Sequence, residues 1–213
     1  MTLSLGGIPE ELGGHVNLQV LNLNFNYGIT GPLPISLLNM SSITDIQLAY
    51  GKLAGSVLVN FGNMPHLNTL ELGGNELTGG LDFLGSLSNC RVLEGVGLWE
   101  NELDGSLPKT LGNLSRNFYD FYAVGNYIKG KIPVELGNLS SLEVLGLGLN
   151  ELVGTIPSEI TMLEKLQLLG LDDNRIYGSI PHELGRLSIM NTVYLYMIVF
   201  LDPYLTHWEI SVQ

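Results

Sequence analysis

A 24-residue period runs through this chain and leaves few folds open to it. Leu142-x-x-Leu145-x-Leu147-x-x-Asn150-x-Leu152-x-Gly154-x-Ile156-Pro157 returns 24 residues later as Leu166, Leu169, Leu171, Asn174, Ile176, Gly178, Ile180 and Pro181. The same frame opens at Phe118, Leu93, Leu67, Ile43 and Leu18, giving seven full repeats of 24–26 residues. A partial repeat occupies residues 1–17, with its motif ending in Ile8-Pro9, and the start of an eighth runs to Leu195. A unit this short cannot bury its own apolar set. The repeats must therefore stack and share one elongated core.

Each part of the unit has a physical reading. The Leu-x-x-Leu-x-Leu stretch alternates inward and outward residues, as a half-buried strand does. Asn26, Asn75, Asn101, Asn126, Asn150 and Asn174 fall where the chain leaves the strand, where a side-chain amide can bond the backbone of adjacent turns. Gly-x-Ile-Pro supplies a tight corner and a second short extended segment, with Pro where no ladder donor is needed. Segments such as Val134-Glu135-Leu136-Gly137-Asn138-Leu139 read as a short helical turn on the outer side. The expected fold is an α/β solenoid, a leucine-rich-repeat superhelix. Its parallel β-sheet lines the concave face, and short helical or 3-10 turns and second short strands lie on the outer side. Residues 18–195 form the solenoid, and 196–213 a divergent tail.

Composition then narrows the function. With 9 Lys and Arg against 21 Asp and Glu, the net charge is −12, so there is no cationic surplus to displace counterions from nucleic acid. A hydrophobic share of 45 % excludes a disordered acidic tail. A single Cys excludes an internal disulfide framework. The longest apolar run, Val193 to Leu201, has nine residues, against about 20 for a membrane span. The first residues lack the basic start and apolar stretch of a signal peptide.

Leu-x-Gly-x-Ile-Pro combined with Leu-Gly-Asn-Leu-Ser resembles the plant-specific leucine-rich repeat, over about residues 5–195. The longer repeat through Leu81-Asp82-Phe83-Leu84-Gly85-Ser86-Leu87-Ser88-Asn89-Cys90 resembles a variant in the ectodomains of plant leucine-rich-repeat receptor-like kinases, particularly cereal immune receptors. That resemblance implies an extracellular sensor followed by a membrane helix and a cytoplasmic kinase, with paired cysteines capping the ectodomain. This stretch carries none of those parts, so it reads as an internal slice or a truncated relative without a kinase.

The chain departs from its own pattern in three places. Repeat two has Gly51 in place of the ladder Asn and Val57-Leu58 in place of Ile-Pro, and repeat one carries an extra residue between Asn26 and Gly31. After Leu195 the ladder position is Ile198, with neither the Gly nor the Ile-Pro following. The tail reads as a degenerate cap, an unrelated read-through segment or a hydrophobic piece that docks a partner.

Recognition is expected on the concave face, at the second, third, fifth, seventh and eighth residues of each repeat. That grid holds acids at Asp45, Glu71, Glu94, Glu100, Asp120, Glu143, Asp172 and Asp173, and no Lys or Arg. It also holds aromatics at Phe25, Tyr50, Trp99, Tyr119, Tyr122, Tyr194 and Tyr196. An acidic face interleaved with aromatics suits a protein or peptide ligand carrying Lys or Arg, because charge steers the encounter and buried rings supply contact energy. The expected ligand-binding residues are Glu71, Glu94, Trp99, Glu100, Tyr119, Asp120, Tyr122 and Glu143, centred on repeats four to six. The bland reading is a solvated face that keeps the chain soluble.

No catalytic or metal-binding arrangement emerges, and no cofactor is expected. His15, His66, His182 and His207 share no spacing, Cys90 has no partnered His, and Gly95-Val96-Gly97 and Gly146-Leu147-Gly148 match phosphate-loop glycines only by chance. Asn39, Asn113 and Asn138 head Asn-x-Ser sequons, candidate glycosylation sites if the protein is secreted. The favoured reading is a non-catalytic recognition module in plant defence or signalling: a receptor fragment, decoy or co-receptor, with a co-receptor among its partners. It would be extracellular or at the cell surface if part of a longer receptor, and the lack of a signal-peptide pattern in this stretch leaves an intracellular location open as well. Alternatives are an enzyme inhibitor resembling plant polygalacturonase inhibitors and a structural protein that self-associates through uncapped ends.

Overall fold

The computed structural model describes residues 6–200. One strand from each repeat joins an eight-stranded parallel sheet in chain order: Val20–Asn22, Asp45–Gln47, Thr69–Glu71, Gly95–Gly97, Asp120–Tyr122, Val144–Gly146, Leu168–Gly170 and Thr192–Tyr194. The register is uniform. Leu21, Ile46, Leu70, Val96, Phe121, Leu145, Leu169 and Val193 form one paired row. From Ile46 to Leu169 this row is at most 1 % exposed, so every repeat contributes its middle strand residue to one shared core.

The second short strands form two four-stranded parallel sheets. The first contains Thr30–Gly31, Lys52–Ser56, Glu76–Gly80 and Glu102–Asp104; the second contains Lys129–Gly130, Glu151–Gly154, Arg175–Gly178 and Val199–Phe200. A single bridge between Ser106 and Lys129 connects them. The corner glycine before each Ile-Pro or its equivalent takes φ between +80° and +96° from Gly31 through Gly178, a region closed to most side chains. The outer turns are 3-10, as in Lys109–Asn113, Val134–Asn138 and Ser158–Met162, each preceded by an extended Pro. The turn in repeat three is longer, Asp82–Asn89, and accommodates the extra residues there.

From Asn75 to Asn174 the ladder asparagines are buried and fully used, whereas Asn26 is exposed and its Nδ2 donates only to the Leu23 and Asn24 carbonyls of its own repeat. Asn101 Oδ1 accepts from the Leu77 amide of the preceding repeat at 3.0 Å, and its Nδ2 donates to the carbonyls of Leu72 and Leu98. Asn75, Asn126, Asn150 and Asn174 repeat this arrangement. The first two sequence departures compensate each other. In repeat one the extra residue lets the Ile29 amide, equivalent to Leu77, donate to Asn26 O at 3.0 Å within its own turn. No ladder acceptor is then required from repeat two, where Gly51 stands.

The third departure is smaller than expected from sequence. Val199–Phe200 pairs in parallel with Arg175–Gly178, so the repeat path continues past 195 because strand pairing needs only backbone. The expectations for 201–213 lie outside the described residues. Among the described residues, no helix is long and apolar enough to cross a membrane.

Candidate ligand-binding furrow on the concave face

The concave sheet carries an open furrow of about 730 Å³. Its wall is a chain of rings. Phe25 stacks on Tyr50 with centroids 4.9 Å apart and planes at 11°, Tyr50 meets Trp99 edge-on at 6.3 Å, and Trp99 meets Tyr122 at 6.2 Å. Phe25 and Tyr50 occupy the eighth repeat position, just before the ladder site, where the backbone is left-handed in every turn from Phe25 to Met197. Only Gly74 and Gly125 among those eight positions are glycine. Holding six other side chains there costs on the order of 1 kcal/mol each; after Glu100, Leu149 and Asp173 the buried ladder asparagines Asn101, Asn150 and Asn174 offset it.

Glycines explain how rings from repeats two and four can meet. Repeat three has Gly73-Gly74 where its neighbours carry side chains. A Cβ on Gly73 would collide with the Trp99 indole, and one on Gly74 with the Tyr50 ring. Both rings lie across this gap. A Cβ on Gly97 would strike Trp99 and the Glu71 carboxylate together, so that carboxylate is tucked over Gly97 beside the indole. Gly146 likewise leaves room for Tyr122. Gly97 and Gly146 thus make room for the side chains that line the furrow, and Gly95 lies beneath Asp120.

Two acids line the furrow between these rings. Glu71 pairs opposite Gly97 and Asp120 opposite Gly95, so their strands flank the Gly95–Gly97 strand on either side. Glu71 Oε2 and Asp120 Oδ1 are buried without a hydrogen-bond partner. Burial, and then the neighbouring Asp120 charge, pushes Glu71 up to about 7, and burial also raises Asp120. Tyr122 is raised by burial first and then by the acids around it.

Of the residues expected from sequence, Glu71, Trp99, Glu100, Asp120 and Tyr122 line this furrow. Glu94, Tyr119 and Glu143 stand outside it, at the second position of their repeats where the chain enters the strand. Phe25 and Tyr50 line it as well, which shifts the centre from repeats four to six toward repeats one to five. Their signal was Gly73-Gly74, a hole in the grid between large side chains. Elsewhere, Cys90 is fully buried with Sγ 3.3 Å from Phe61 O, and burial pushes its thiol up to about 11; it is a core residue. Asn39, Asn113 and Asn138 are exposed at the ends of outer turns, away from the furrow.

Comparison with known proteins agrees with this architecture. The family model described as Leucine Rich Repeat matches residues 165–187. Over 74 residues the chain is 40 % identical to the LRR receptor-like serine/threonine-protein kinase EFR of Arabidopsis thaliana, covering 35 % of this chain and 7 % of that protein. The structure of PEPR1-AtPEP1 aligns with TM-score 0.83 and 36 % identity, covering 92 % of this chain and 27 % of that one. The Arabidopsis receptor kinase HAESA, in complex with the peptide hormone IDA and the co-receptor SERK1, aligns with TM-score 0.85 and 31 % identity, covering 92 % of this chain and 32 % of that one. The chain is a leucine-rich-repeat solenoid similar to plant receptor ectodomains, and it spans about a third or less of the length of each of these proteins.

Proposed function

We propose that this leucine-rich-repeat solenoid is a non-catalytic recognition module that seats an extended peptide or protein segment carrying basic residues along the concave furrow. The ring chain Phe25–Tyr50–Trp99–Tyr122 above unpartnered acids carries the reading. Rings bury large area at little entropic cost. The furrow is lined by no Lys, Arg or His, so a basic ligand meets attraction and no repulsion. PEPR1 and HAESA are known in complex with AtPEP1 and IDA respectively, and a peptide ligand here is consistent with that likeness. The setting we infer is the cell surface, in plant defence or signalling, with glycans on Asn39, Asn113 and Asn138 pointing away from the ligand and a co-receptor joining the complex.

The test begins with a displayed library of random heptapeptides selected on the full chain. The Trp99→Ala/Tyr122→Ala double variant is expected to lose at least about 30-fold in affinity for the selected peptides, with circular dichroism and melting unchanged. Undiminished binding by a folded double variant would remove the reading.

A further inference from the structure

Two concave acids outside the furrow have a side-chain donor supplied by the fold. Asp45 accepts from Thr44 Oγ1 at 2.7 Å and Glu143 from Gln167 Nε2 at 2.8 Å. Glu71 Oε2 and Asp120 Oδ1 have no such partner among the described residues. Two like charges flanking one glycine strand are costly, and the cost is greatest where water is excluded. A cation that brings its own donors would satisfy both. The rings narrow its identity. Trp99 lies beside the Glu71 carboxylate and Tyr122 borders the same furrow, which favours a planar, weakly hydrated cation that can face a ring while donating in two directions. An ammonium group is more strongly hydrated and lacks the planar fork.

We propose that the furrow seats one arginine side chain of an extended peptide, its guanidinium beside the Trp99 ring and donating to the carboxylates of Glu71 and Asp120. This rests on the reading of the concave face as a peptide site, and adds the anchoring residue and its partners. The arginine enters along the open furrow beside Trp99, whose ring and the Glu71 carboxylate lie over Gly97. The titratable groups that face Glu71 are Asp120 and Tyr122 from repeat five, Glu100 from repeat four and Tyr50 from repeat two. All are acidic or neutral. Binding therefore requires ionised Glu71, and with its carboxyl at about 7 the affinity for the arginine falls about tenfold from pH 8 to pH 6.

The direct experiment follows the carboxyl carbons of the full chain by NMR across a pH titration. It uses an excess of N-acetyl-arginine methylamide, of the lysine analogue, or of the uncharged citrulline analogue. The arginine probe is expected to lower the Glu71 midpoint by about one pH unit, a tenfold preference for the charged form; lysine should lower it less, and citrulline not at all. Equal effects of arginine and citrulline, or no effect of either, would overturn the proposal. Glu71→Gln should abolish the pH dependence of binding of an arginine-containing selected peptide, while Asp120→Asn should keep it and move it to lower pH. If such a peptide is lost on Trp99→Ala/Tyr122→Ala but indifferent to Glu71→Gln and to replacement of its arginine by citrulline, the anchor is wrong and the furrow reading stands. If arginine shifts Glu71 while no peptide is selected, the anchor stands and that reading falls.

Discussion

Repeats three to five and repeats six to eight present the same parallel sheet to the same side, yet they treat their carboxylates in opposite ways. In the later repeats Glu143 is held by Gln167, and Asp172 and Asp173 stand beside the exposed Tyr196, whose hydroxyl they push up to about 12. In the earlier ones Glu71 and Asp120 sink beside rings with buried oxygens unpaired. Acidity alone therefore does not mark a binding surface. A satisfied acid is part of the fold; an unsatisfied one in an open furrow is available to a donor from outside it.

Glycine substitution should break this contrast most strongly. Gly97 and Gly170 hold the same position in repeats four and seven. A Cβ at Gly97 displaces Trp99 and Glu71, whereas at Gly170 its nearest neighbour is 3.7 Å away. Gly97→Ala is expected to abolish binding of a selected peptide and to cost about 1–2 kcal/mol of stability as the displaced groups rise into solvent. Gly170→Ala should change stability by less than about 0.5 kcal/mol, with calorimetry and denaturant melts reading both.

Charge removal sharpens the contrast through pH. Because Glu71 titrates higher in the fold than in the unfolded chain, the fold gains from its protonated form. That gain is complete below the unfolded value of 4.5 and fades as pH rises toward about 7. Fully buried, such a displacement amounts to roughly 3 kcal/mol; solvent in the open furrow reduces it to about 1–2 kcal/mol. Glu71→Gln should therefore stabilise the protein at pH 8 and leave it unchanged at pH 4, by thermal melting. Glu143→Gln, which removes a satisfied acceptor, should give no stabilisation at pH 8. The smallest effect belongs to Phe25→Ala at the rim. Its ring is 62 % exposed and touches the others through Tyr50, so peptide affinity should fall by a factor of about two to five, the worth of one stacked pair.

The framework was legible because each of its residues answers to a local rule repeated seven times. Leu145 must face inward, Asn150 must meet the backbone that leaves the strand, and Gly154 must turn a corner. The candidate surface was half legible. Counting outward positions placed Glu71, Trp99, Asp120 and Tyr122 on the concave side, where they line the furrow. What counting could not show was reach. Tyr50 and Trp99 stand two repeats apart and meet because Gly73 and Gly74 vacate the repeat between them. A pattern of what is absent is hard to read as a contact. The coupled exception in repeats one and two was hidden for the same reason, since an insertion after Asn26 is what makes an asparagine at 51 unnecessary.

The even stacking of the concave strands also makes the furrow a vernier. Neighbouring strands lie about 4.8 Å apart, while side chains on one face of an extended peptide recur every 6.6 Å or so. Four strand spacings, from repeat one to repeat five, cover about 19 Å, close to three of those peptide steps. The two rulers therefore agree at the ends of the furrow and disagree within it. A ligand of about seven residues has one alignment that serves both ends, and sliding it by a single strand spoils both at once.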